Sequence, residues 1–467
     1  MTPGFDVGFR SLDEELDDVS LQVDGTLPRW LSGAYVRNGP ARFEVGGGRV
    51  AHWFDGLAML VRFAFDGDRV RYTNRFLRTG TYRDATAGRP IAAMFGQTGD
   101  EGILDRLSTL LFSDPPDNAN VNVFPFGDRL AAVTETPVIV AVDPETLATV
   151  AVQRYDDGPP VHHVTAHLRP EPTGDGYVGY GTEFAPRRRY HVYRITDVEA
   201  TRESIASFDV DRPAYMHSLA LTRRYVVLTE VPFVVNPVQF LRPGQSFVDS
   251  YRWRPERGTR FLVFDRASGD VVAAPRTAAF FSFHYANAFE RADEVVVDLV
   301  AYDDASIVRN LFLGRLDVDV PQASTGRLRR YRLPLDGGPV VERVPTTVGV
   351  ELPRVSPAVE TTPHRYVYGQ GDADPARNAS PLVKVDVETG RTDSWLEPGV
   401  YVGEPAFVPA PDATAEDDGV VLSVAVDAAA ETSVLLVLDG GTFEKRARAT
   451  VPHVIPFGFH GRYVPDG

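Results

Sequence analysis

The sequence predicts an all-β fold, a seven-bladed β-propeller with a few helical or loop insertions capping its top face. Short Val-rich runs are interrupted every few residues by Asp-Gly, Pro or Arg, which indicates many short strands. At 467 residues the chain exceeds the size of most single cores, and a closed repetitive architecture accommodates that length. A turn motif also recurs along the chain. We therefore expect a single propeller domain over residues 1–467.

The recurring turn consists of an apolar residue, an aspartate and a short polar stretch that leads into a new strand. The aspartates are Asp66, Asp143, Asp197, Asp265, Asp336, Asp386 and Asp439. They mark units of roughly 65 residues, a size that suits antiparallel blades covered by their neighbours. A propeller closes on itself and so protects its sheet edges. Because such turns recur in other all-β proteins, a sandwich or a two-domain β protein is the alternative.

Two segments depart from the strand pattern. Residues 103–112 carry apolar side chains at helical spacing, and Pro115 and Pro116 stop the pattern soon after. Residues 233–241 are apolar for a loop. If both segments are exposed, they predict a patch that dips into a membrane or docks an apolar substrate. The alternative is an internal cap over the propeller.

Composition excludes several classes of function. The chain contains no cysteine, so any transition metal must bind to histidine and carboxylate side chains. A net charge of −16 argues against a nucleic-acid partner, which requires a concentrated basic surface. No apolar run approaches the roughly 20 residues of a spanning helix, and the start resembles no signal peptide. We expect a soluble, cytoplasmic protein, with peripheral membrane contact as an option; the oligomeric state stays open.

Four of the ten histidines lie in or beside apolar, strand-like runs. They are His167, His217, His284 and His460. Their separations of 50, 67 and 176 residues match one, one and nearly three repeat units, so they should project from inner strands of different blades toward the central axis. A single buried histidine is more often a hydrogen-bonded core residue, but four in phase with the repeat indicate a metal site. An all-imidazole set suits Fe, Zn or Cu.

Three carboxylates also lie in apolar or proline-marked strands, namely Glu135, Glu351 and Glu404. An unpaired buried carboxylate costs several kcal/mol, so each of them needs a partner. A metal-bound imidazole usually donates its second N–H to a carboxylate, which would explain all three. For Glu351 and Glu404 the alternative is a structural ion pair, for example with Arg354.

These residues lie within motifs that resemble those of the carotenoid cleavage oxygenases, which are seven-bladed propellers with a non-haem iron. The matching motifs, in order, are residues 33–40, 52–56, 165–167, 216–218, 283–290, 351–354, 404–405 and 458–461. They cover almost the whole chain, and their joint match is specific although each motif alone is weak. The resemblance implies that the four histidines bind Fe(II), with no second cofactor.

The same resemblance implies roles for the glutamates and for the other histidines. The expected hydrogen-bonded pairs are Glu135 with His217, Glu351 with His284 and Glu404 with His460, which leaves His167 without a carboxylate. His52 belongs to a motif that is structural in the family, and His162 and His163 are expected in a loop. Regular alternation would place Phe281 and Phe283 opposite His284, in the core of a blade rather than in a cavity wall.

The reaction implied by the resemblance is cleavage of a C=C bond of a carotenoid or apocarotenoid by O2, giving two aldehyde or ketone products. Thr134 matches a threonine that carotenoid-cleaving members place near the open iron position. Stilbene-cleaving members have a nearby lysine, whereas this chain contains only Lys384 and Lys445. The sequence therefore favours an apolar polyene over a hydroxystilbene as the substrate.

Two alternatives of function stay open. Leu57-Ala58-Met59 replaces the common Asp-Gly-Met, and with residues 295–304 it looks like the branch of the animal β-carotene oxygenases and the retinoid isomerase. Retinal is therefore one expected product, and isomerohydrolase activity is an alternative to cleavage. The alternative of another class is a non-catalytic propeller that binds or carries apolar ligands.

Overall fold

The fold is described from a computed structural model that covers residues 4–45, 47–89, 91, 95–96, 115–155, 159–196, 201–316 and 326–466. Within these residues, seven antiparallel sheets of four or five strands form the blades of a β-propeller, which confirms the predicted fold class. The predicted helical segment 103–112 lies outside the described residues. No helix in the described part is long and apolar enough to cross a membrane.

The blades are numbered in chain order, and their strands are given from the propeller axis outward. Blade 1 consists of Gly461–Val464, Gly33–Arg42, Leu57–Asp66, Arg69–Phe76 and Val19–Ser20. Blade 2 consists of Asn122–Phe126, Arg129–Val133, Val138–Val142 and Thr149–Arg154. Blade 3 consists of His163–Val164 and Arg169–Pro170, then Tyr177–Glu183, Arg189–Ile195 and Arg202–Asp209. Blade 4 consists of Ala220–Leu221, Tyr225–Glu230, Thr259–Asp265, then Val271–Ala273 and Arg276–Thr277.

The remaining blades follow the same plan. Blade 5 consists of Tyr285–Arg291, Glu294–Ala301, Arg327–Pro334 and Val341–Arg343. Blade 6 consists of Glu351–Arg354, Tyr366–Gln370, Leu382–Asp386 and Thr392–Trp395. Blade 7 consists of Val400–Pro409, Gly419–Asp427, Thr432–Asp439, Lys445–Thr450 and Gln22–Gly25. Two short hairpins pair Glu44–Val45 with Gly48–Arg49 and Phe233–Val234 with Arg252–Trp253.

Helices are few and short in the described part of the chain. The α-helices are Gly80–Thr86, Ser306–Asn310 and Leu313–Leu316. The 3-10 helices are Phe5–Phe9, Trp53–Asp55, Pro237–Leu241, Val248–Ser250, Pro255–Arg257 and Pro357–Val359. Innermost strands of neighbouring blades contact one another between blades 1 and 2, 4 and 5, 5 and 6, 6 and 7, and 7 and 1. These contacts arrange the strand edges around a common axis.

Within the described residues, the recurring aspartates mark the outer hairpins of the blades. Six of them lie between the third and fourth strands counted from the axis, while Asp197 lies outside the described residues. The Oδ1 atom of Asp143 accepts hydrogen bonds from backbone N–H groups two and three residues later, and Asp265, Asp386 and Asp439 do the same. The repeat in the sequence is therefore a repeated Asx turn.

Both chain ends take part in closing the ring. Gln22–Gly25 pairs with Lys445–Thr450 in blade 7, whereas Gly461–Val464 pairs with Gly33–Arg42 in blade 1. The N-terminal segment thus extends the last blade, and the C-terminal segment completes the first. Neither blade is built from one continuous stretch of chain, so closure removes the free edges that an open sheet would present.

Apolar side chains pack between adjacent blades. Val61 and Phe63 of blade 1 belong to the same buried cluster as Leu422 and Val437 of blade 7. Because neighbours cover both faces of a blade, central strands become buried almost throughout, as in Glu294–Ala301, in which only Glu294 is partly exposed. This explains why the sequence reads as short, nearly continuous Val-rich runs.

The apolar segment 233–241 divides between core and surface. Phe233–Val234 is a buried strand, whereas Pro237–Leu241 forms a 3-10 helix in which Val238 is 60 % exposed. Phe240 packs against the rings of Phe184 and Phe247 at centroid distances of 5.0 and 5.3 Å. The structure therefore combines the two expectations for this segment, a cap and an exposed apolar surface.

Candidate metal centre and adjoining cavities

The four predicted histidines converge at the axis. His284 and His460 directly precede the innermost strands of blades 5 and 1, and His217 lies three residues before that of blade 4. His167 lies between the two short inner strands of blade 3. All four are buried, and one nitrogen of each lies within 4.8 Å of those of the others. The juxtaposition expected from the repeat spacing is present.

Hydroxyl groups beside the histidines fix the inner strands relative to one another. Thr165 Oγ1 donates to the carbonyl oxygen of His217 at 2.9 Å and accepts from the backbone N–H of His167 at 2.9 Å. Ser218 Oγ donates to the carbonyl oxygen of Phe283 at 2.7 Å. These bonds connect blades 3, 4 and 5 next to the rings. Hydrogen bonds between blades therefore hold the backbone that carries three of the histidines.

Three of the rings face a glutamate through Nδ1. His217 Nδ1 lies 2.7 Å from Glu135 Oε1, His284 Nδ1 lies 3.0 Å from Glu351 Oε1, and His460 Nδ1 lies 2.8 Å from Glu404 Oε1. The three contacts implied by the family resemblance are thus present, and no carboxylate contacts His167 among the described residues. Because a carboxylate accepts, each Nδ1 carries the hydrogen and each Nε2 keeps its lone pair.

The seven side chains are distributed evenly around the ring. The histidines come from blades 3, 4, 5 and 1. Glu351 and Glu404 lie in the innermost strands of blades 6 and 7, and Glu135 follows the second strand of blade 2. In the described structure, therefore, each blade supplies one member of the set.

Glu404 forms both of the contacts expected for it, an ion pair with Arg354 and a hydrogen bond with a histidine. Its Oε1 atom accepts from Arg354 Nε at 2.9 Å as well as from His460, and its Oε2 atom accepts from the backbone N–H of Gly461 at 2.8 Å. The structural ion pair and the support of a histidine are therefore not exclusive. Glu351 instead accepts from the backbone N–H of Leu352 at 3.0 Å.

Two partners of Glu135 were not predicted. The hydroxyl of Tyr215 lies 3.0 Å from both carboxylate oxygens, and His163 Nε2 lies 3.5 Å from Oε2. The expectation that His163 lies in a loop is wrong. This residue begins a buried inner strand, and its ring stacks on Phe247. A signal for Tyr215 exists in the sequence, since it precedes His217 by two residues and alternation puts both on one face.

The electrostatic environment lowers the pKa of three of the histidines and of two of the glutamates. Burial and the neighbouring histidines lower the pKa of His167 well below its usual range, and burial lowers the pKa of His460 to about 3 against the opposing effect of Glu404. Burial alone would raise the pKa of Glu404, but Arg354 and His460 lower it to about 2. His163 and His217 likewise overcome burial and lower the pKa of Glu135 to about 2.

These residues fit a divalent transition metal. The Nε2 atoms of His167 and His217 lie 2.9 Å apart, and the buried Nε2 atom of His284 has no hydrogen-bond partner among the described residues. Neutral imidazoles are good ligands for first-row transition ions. The carboxylates of Glu135 and Glu404, whose pKa values are lowered to about 2, offset the positive charge that such an ion brings into a buried site. The cluster can therefore bind a metal ion.

An apolar cavity of about 200 Å³ adjoins the cluster. His217, His284 and His460 reach its wall, and aromatic side chains form much of the rest, including Trp53, Phe54, Phe283, Phe457 and Phe459. The expectation that Phe283 lies in a blade core is wrong. Residues 281–284 precede the regular strand of blade 5, so strict alternation does not apply to them. Phe281 does lie in the core, where it stacks on Tyr215.

A second cavity of about 200 Å³ lies on the other side of Glu135. It shares Phe54, Val121 and Glu135 with the first cavity, and it is lined by Thr134 and His163 as well. Thr134 thus faces the second cavity beside Glu135. The three shared residues show that the two cavities are neighbours, separated in part by Phe54, Val121 and Glu135.

His52 lies outside the metal cluster, as expected. It is fully buried, its Nε2 donates to the carbonyl oxygen of Val308 at 3.0 Å, and its Nδ1 accepts from the backbone N–H of Phe54 at 3.1 Å. Both ring nitrogens are therefore used by the backbone. Burial also lowers the pKa of His52 to about 4, so the ring is neutral.

Comparisons with known proteins agree with this architecture. The family model described as retinal pigment epithelial membrane protein matches residues 9–465. The carotenoid isomerooxygenase of Galleria mellonella is 33% identical over 98% of this chain and 96% of its own length. Carotenoid cleavage dioxygenase 8 of Arabidopsis thaliana is 30% identical over 98% of this chain and 86% of its own.

Solved structures are similar over nearly the whole chain. Cobalt-substituted apocarotenoid oxygenase of Synechocystis has a TM-score of 0.85 and 26% identity, with 99% of this chain and 98% of that chain covered. A chimera of that oxygenase with RPE65 has a TM-score of 0.87, 26% identity and the same coverage. With the histidine cluster in place, these matches establish that the chain belongs to the carotenoid cleavage oxygenase family.

Proposed function

We propose that the protein is an Fe(II)-dependent dioxygenase that cleaves a C=C bond of a carotenoid or apocarotenoid. The observation that carries this proposal is the cluster of four buried histidines, three of which line an apolar cavity. In the balanced reaction the C=C and O=O bonds break and two C=O bonds form, so no reductant is consumed. Relatives named as carotenoid dioxygenases, including the β,β-carotene 15,15'-dioxygenase of Gallus gallus, support the substrate class.

The metal ligands in this proposal are His167, His217, His284 and His460. Fe(II) bound there would supply the capacity to bind and activate O2 beside the double bond. The chain's contribution is to keep each imidazole neutral and oriented. Burial does the first, and the glutamates do the second by accepting the Nδ1 hydrogens of three rings.

The glutamates Glu135, Glu351 and Glu404 act through the histidines rather than on the substrate. Each carboxylate fixes the tautomer in which Nε2 is the free donor atom. Their negative charge also offsets that of a divalent ion in a site that four neutral ligands leave positive. Arg354 and the backbone N–H of Gly461 hold Glu404 in the orientation that His460 requires.

The apolar walls bind the polyene and exclude water. Phe54 lines both cavities, and Phe283 and Phe459 flank the cluster, so flat aromatic faces bound the space beside the double bond. Burying a long apolar chain against such walls is favourable in proportion to its area. We assign Thr134 to the wall of the second cavity, where it limits the space beside Glu135. The position at which the polyene stops along these walls selects the double bond, and central cleavage of β-carotene would yield retinal.

Isomerisation is a second candidate activity at the same site. It is favoured by the 33% identity to a protein named carotenoid isomerooxygenase, and the two cavities offer space for both halves of a polyene. Release of an isomerised retinoid from a retinyl ester without O2 uptake would favour this activity alone. Release of an isomerised aldehyde with O2 uptake would indicate that both occur together.

We also propose peripheral membrane contact through the exposed part of residues 233–241. Val238 is 60 % exposed there, and a neighbouring groove of about 270 Å³ is lined by Arg212, Arg252 and Arg254. An exposed apolar side chain beside arginines suits the surface of an anionic bilayer. Phe247 connects this surface with the second cavity, because it lines that cavity and its ring stacks on Phe240.

The proposal is tested by metal analysis and product analysis of the untagged protein. We expect iron at full occupancy after incubation with Fe(II), and paired carbonyl products carrying ¹⁸O from ¹⁸O2 with β-carotene or a β-apocarotenal but not with resveratrol. His217→Ala and His284→Ala should lose iron and activity. His453→Ala is the matched control, because His453 contacts Tyr72 and Glu14 away from the cluster. Full iron retention in both site variants would contradict the ligand assignment.

A non-catalytic propeller that carries apolar ligands gives a different result. Such a protein would bind β-carotene with the same affinity with and without iron, and it would release the carotenoid unchanged under O2. Carotenoid recovered intact from iron-loaded protein would therefore favour this class of function over the oxygenase.

A further inference from the structure

A small polar cavity adjoins the histidine cluster along the inner strands of the blades, and we call it the axial cavity. It is lined by His167, Arg169, Arg354, Glu360, Glu404 and Arg462, among other residues. Its volume is about 20 Å³, which is room for one particle of about the size of a water molecule. Its polar lining contrasts with the aromatic walls of the larger cavities.

Two of its arginines form no ion pair in the described structure, although Glu360 of the same cavity acts electrostatically on Arg169. Arg169 donates to the carbonyl oxygens of Leu219 at 3.2 Å and Tyr285 at 2.9 Å. Arg462 stacks on Phe124 at 4.9 Å, and its buried Nε has no hydrogen-bond partner in the described structure. Among the described residues no carboxylate oxygen lies within 4.0 Å of either guanidinium. A mostly buried guanidinium in such surroundings favours an anion nearby.

The balance of charge around the histidine cluster also favours an anion in the axial cavity. Arg354 is already paired with Glu404, which also serves His460. With a divalent ion in the cluster, the three arginines of the axial cavity and that ion outweigh the four glutamates Glu135, Glu351, Glu360 and Glu404 by one positive charge. The buried Arg37, which donates to the carbonyl oxygen of Phe459, adds to this excess. One monovalent anion would reduce the imbalance.

His167 gives the anion a defined place. In the described structure it is the member of the histidine cluster without a carboxylate at Nδ1. Its Nε2 approaches His217 Nε2 at 2.9 Å, which leaves Nδ1 on the ring edge away from the cluster. His167 lines the axial cavity together with His284 and His460, and it is the one member of the cluster that does not line the apolar cavity. An anion in the axial cavity could therefore accept from His167 as the glutamates accept from the other rings.

We propose that the axial cavity binds one halide-sized monovalent anion, held by Arg169 and Arg462 beside His167. The anion compensates positive charge behind the ring that lacks a carboxylate, and so favours metal binding at the cluster. This second effect rests on the proposed function, and the charge balance that favours the anion requires a divalent metal ion in the cluster, so the crystals that test the site are grown from metal-loaded protein. The small volume of the cavity favours a single monatomic anion over sulfate or phosphate.

The site is tested directly with bromide, a halide that scatters anomalously. Crystals of the full-length protein grown in bromide should give an anomalous peak in the axial cavity at the bromine absorption edge. Arg169→Leu and Arg462→Leu should each remove the peak, whereas Arg332→Leu, at an exposed ion pair with Glu294, should retain it. Absence of the peak in the wild type, which would mean that the cavity holds water only, overturns the proposal. A peak that persists in both cavity variants overturns the assignment of the arginines.

The coupling to the metal centre is tested by reciprocal linkage. We expect Fe(II) to bind about 5-fold more tightly in chloride than in gluconate of equal ionic strength, the lower end of typical coupling between two sites. The difference should vanish in Arg169→Leu, and sulfate should behave as gluconate does. Equal affinities in chloride and gluconate would overturn the coupling. A protein that fails to cleave carotenoids but shows the bromide peak would refute the proposed function and leave the anion site standing.

Discussion

Replacing Glu404 by Gln tests whether this carboxylate supports the metal centre or only an ion pair. Glu404 is 1 % exposed. One of its oxygens accepts from both His460 and Arg354, at 2.8 and 2.9 Å, and the other accepts from the backbone N–H of Gly461 at 2.8 Å. An amide of the same shape has one oxygen and one NH2 group. At least one of the three donors must therefore face another donor.

The size of the effect follows from these contacts. Removing the charge leaves Arg354 without its partner, and breaking a buried ion pair in this way costs about 3–5 kcal/mol. We expect the free energy of unfolding of metal-free Glu404→Gln to fall by about this amount. The affinity for Fe(II) should fall by about 10- to 100-fold, the range seen when a group that orients a metal-bound histidine is lost.

Arg354→Met separates the two roles of Glu404. In the double variant both charges are absent, so part of the lost stability should return, whereas the Fe(II) affinity should stay low because the acceptor for His460 is still an amide. Denaturant unfolding and metal titration on the wild type, both single variants and the double variant complete the cycle. An Fe(II) affinity of Glu404→Gln within about twofold of the wild type would refute the reasoning, since the effect expected is at least tenfold.

Three further predictions concern other parts of the molecule. Phe283→Leu should change which double bond is cut, measured as the product profile, whereas Phe281→Ala should leave that profile intact and cost about 3–5 kcal/mol of stability, because Phe281 is a core residue. The pKa of Asp386 is lowered to about 2, because Arg365 and two backbone N–H groups outweigh burial. A carboxylate with a lowered folded pKa stabilises above its unfolded pKa and loses this effect as pH falls through the folded value, so wild-type stability should decline more steeply than that of Asp386→Asn between about pH 4 and 2. Val238→Ser should reduce activity on liposome-embedded carotenoid more than on detergent-dispersed carotenoid, and equal losses in the two assays would contradict the membrane contact.

The repeat was predictable because the same local turn recurs in blades 2, 4, 6 and 7 of the described structure. An aspartate that caps its own backbone two and three residues later leaves a mark in the sequence, and Asp143 and Asp386 show this bond. The convergence of the histidines followed from the same repeat, since residues at one phase of a closed ring meet at its axis. The pairs that join His217 to Glu135 and His284 to Glu351 came from the family resemblance, because spacing alone does not select a partner across blades.

The errors arose where the backbone leaves regular geometry. Alternation assigned Phe283 to a core, but the chain is irregular just before the strand that starts at Tyr285, so its ring reaches the cavity. His163 lies in a strand of two residues, too short to give a periodic signal. Of the arginines of the axial cavity, Arg354 was named from the sequence, but Arg169 and Arg462 were not predicted, because they come from different blades and only the closed fold brings them together.

The position of the last inner strand of the ring determines when the metal site is completed during folding. His460 stands immediately before Gly461–Val464, the strand that closes blade 1, and its acceptor Glu404 lies in blade 7. A chain still emerging from the ribosome, or one that has lost its final residues, has at most three of the four imidazoles in position. The four-histidine metal site is therefore complete only when the strand Gly461–Val464 has paired with Gly33–Arg42.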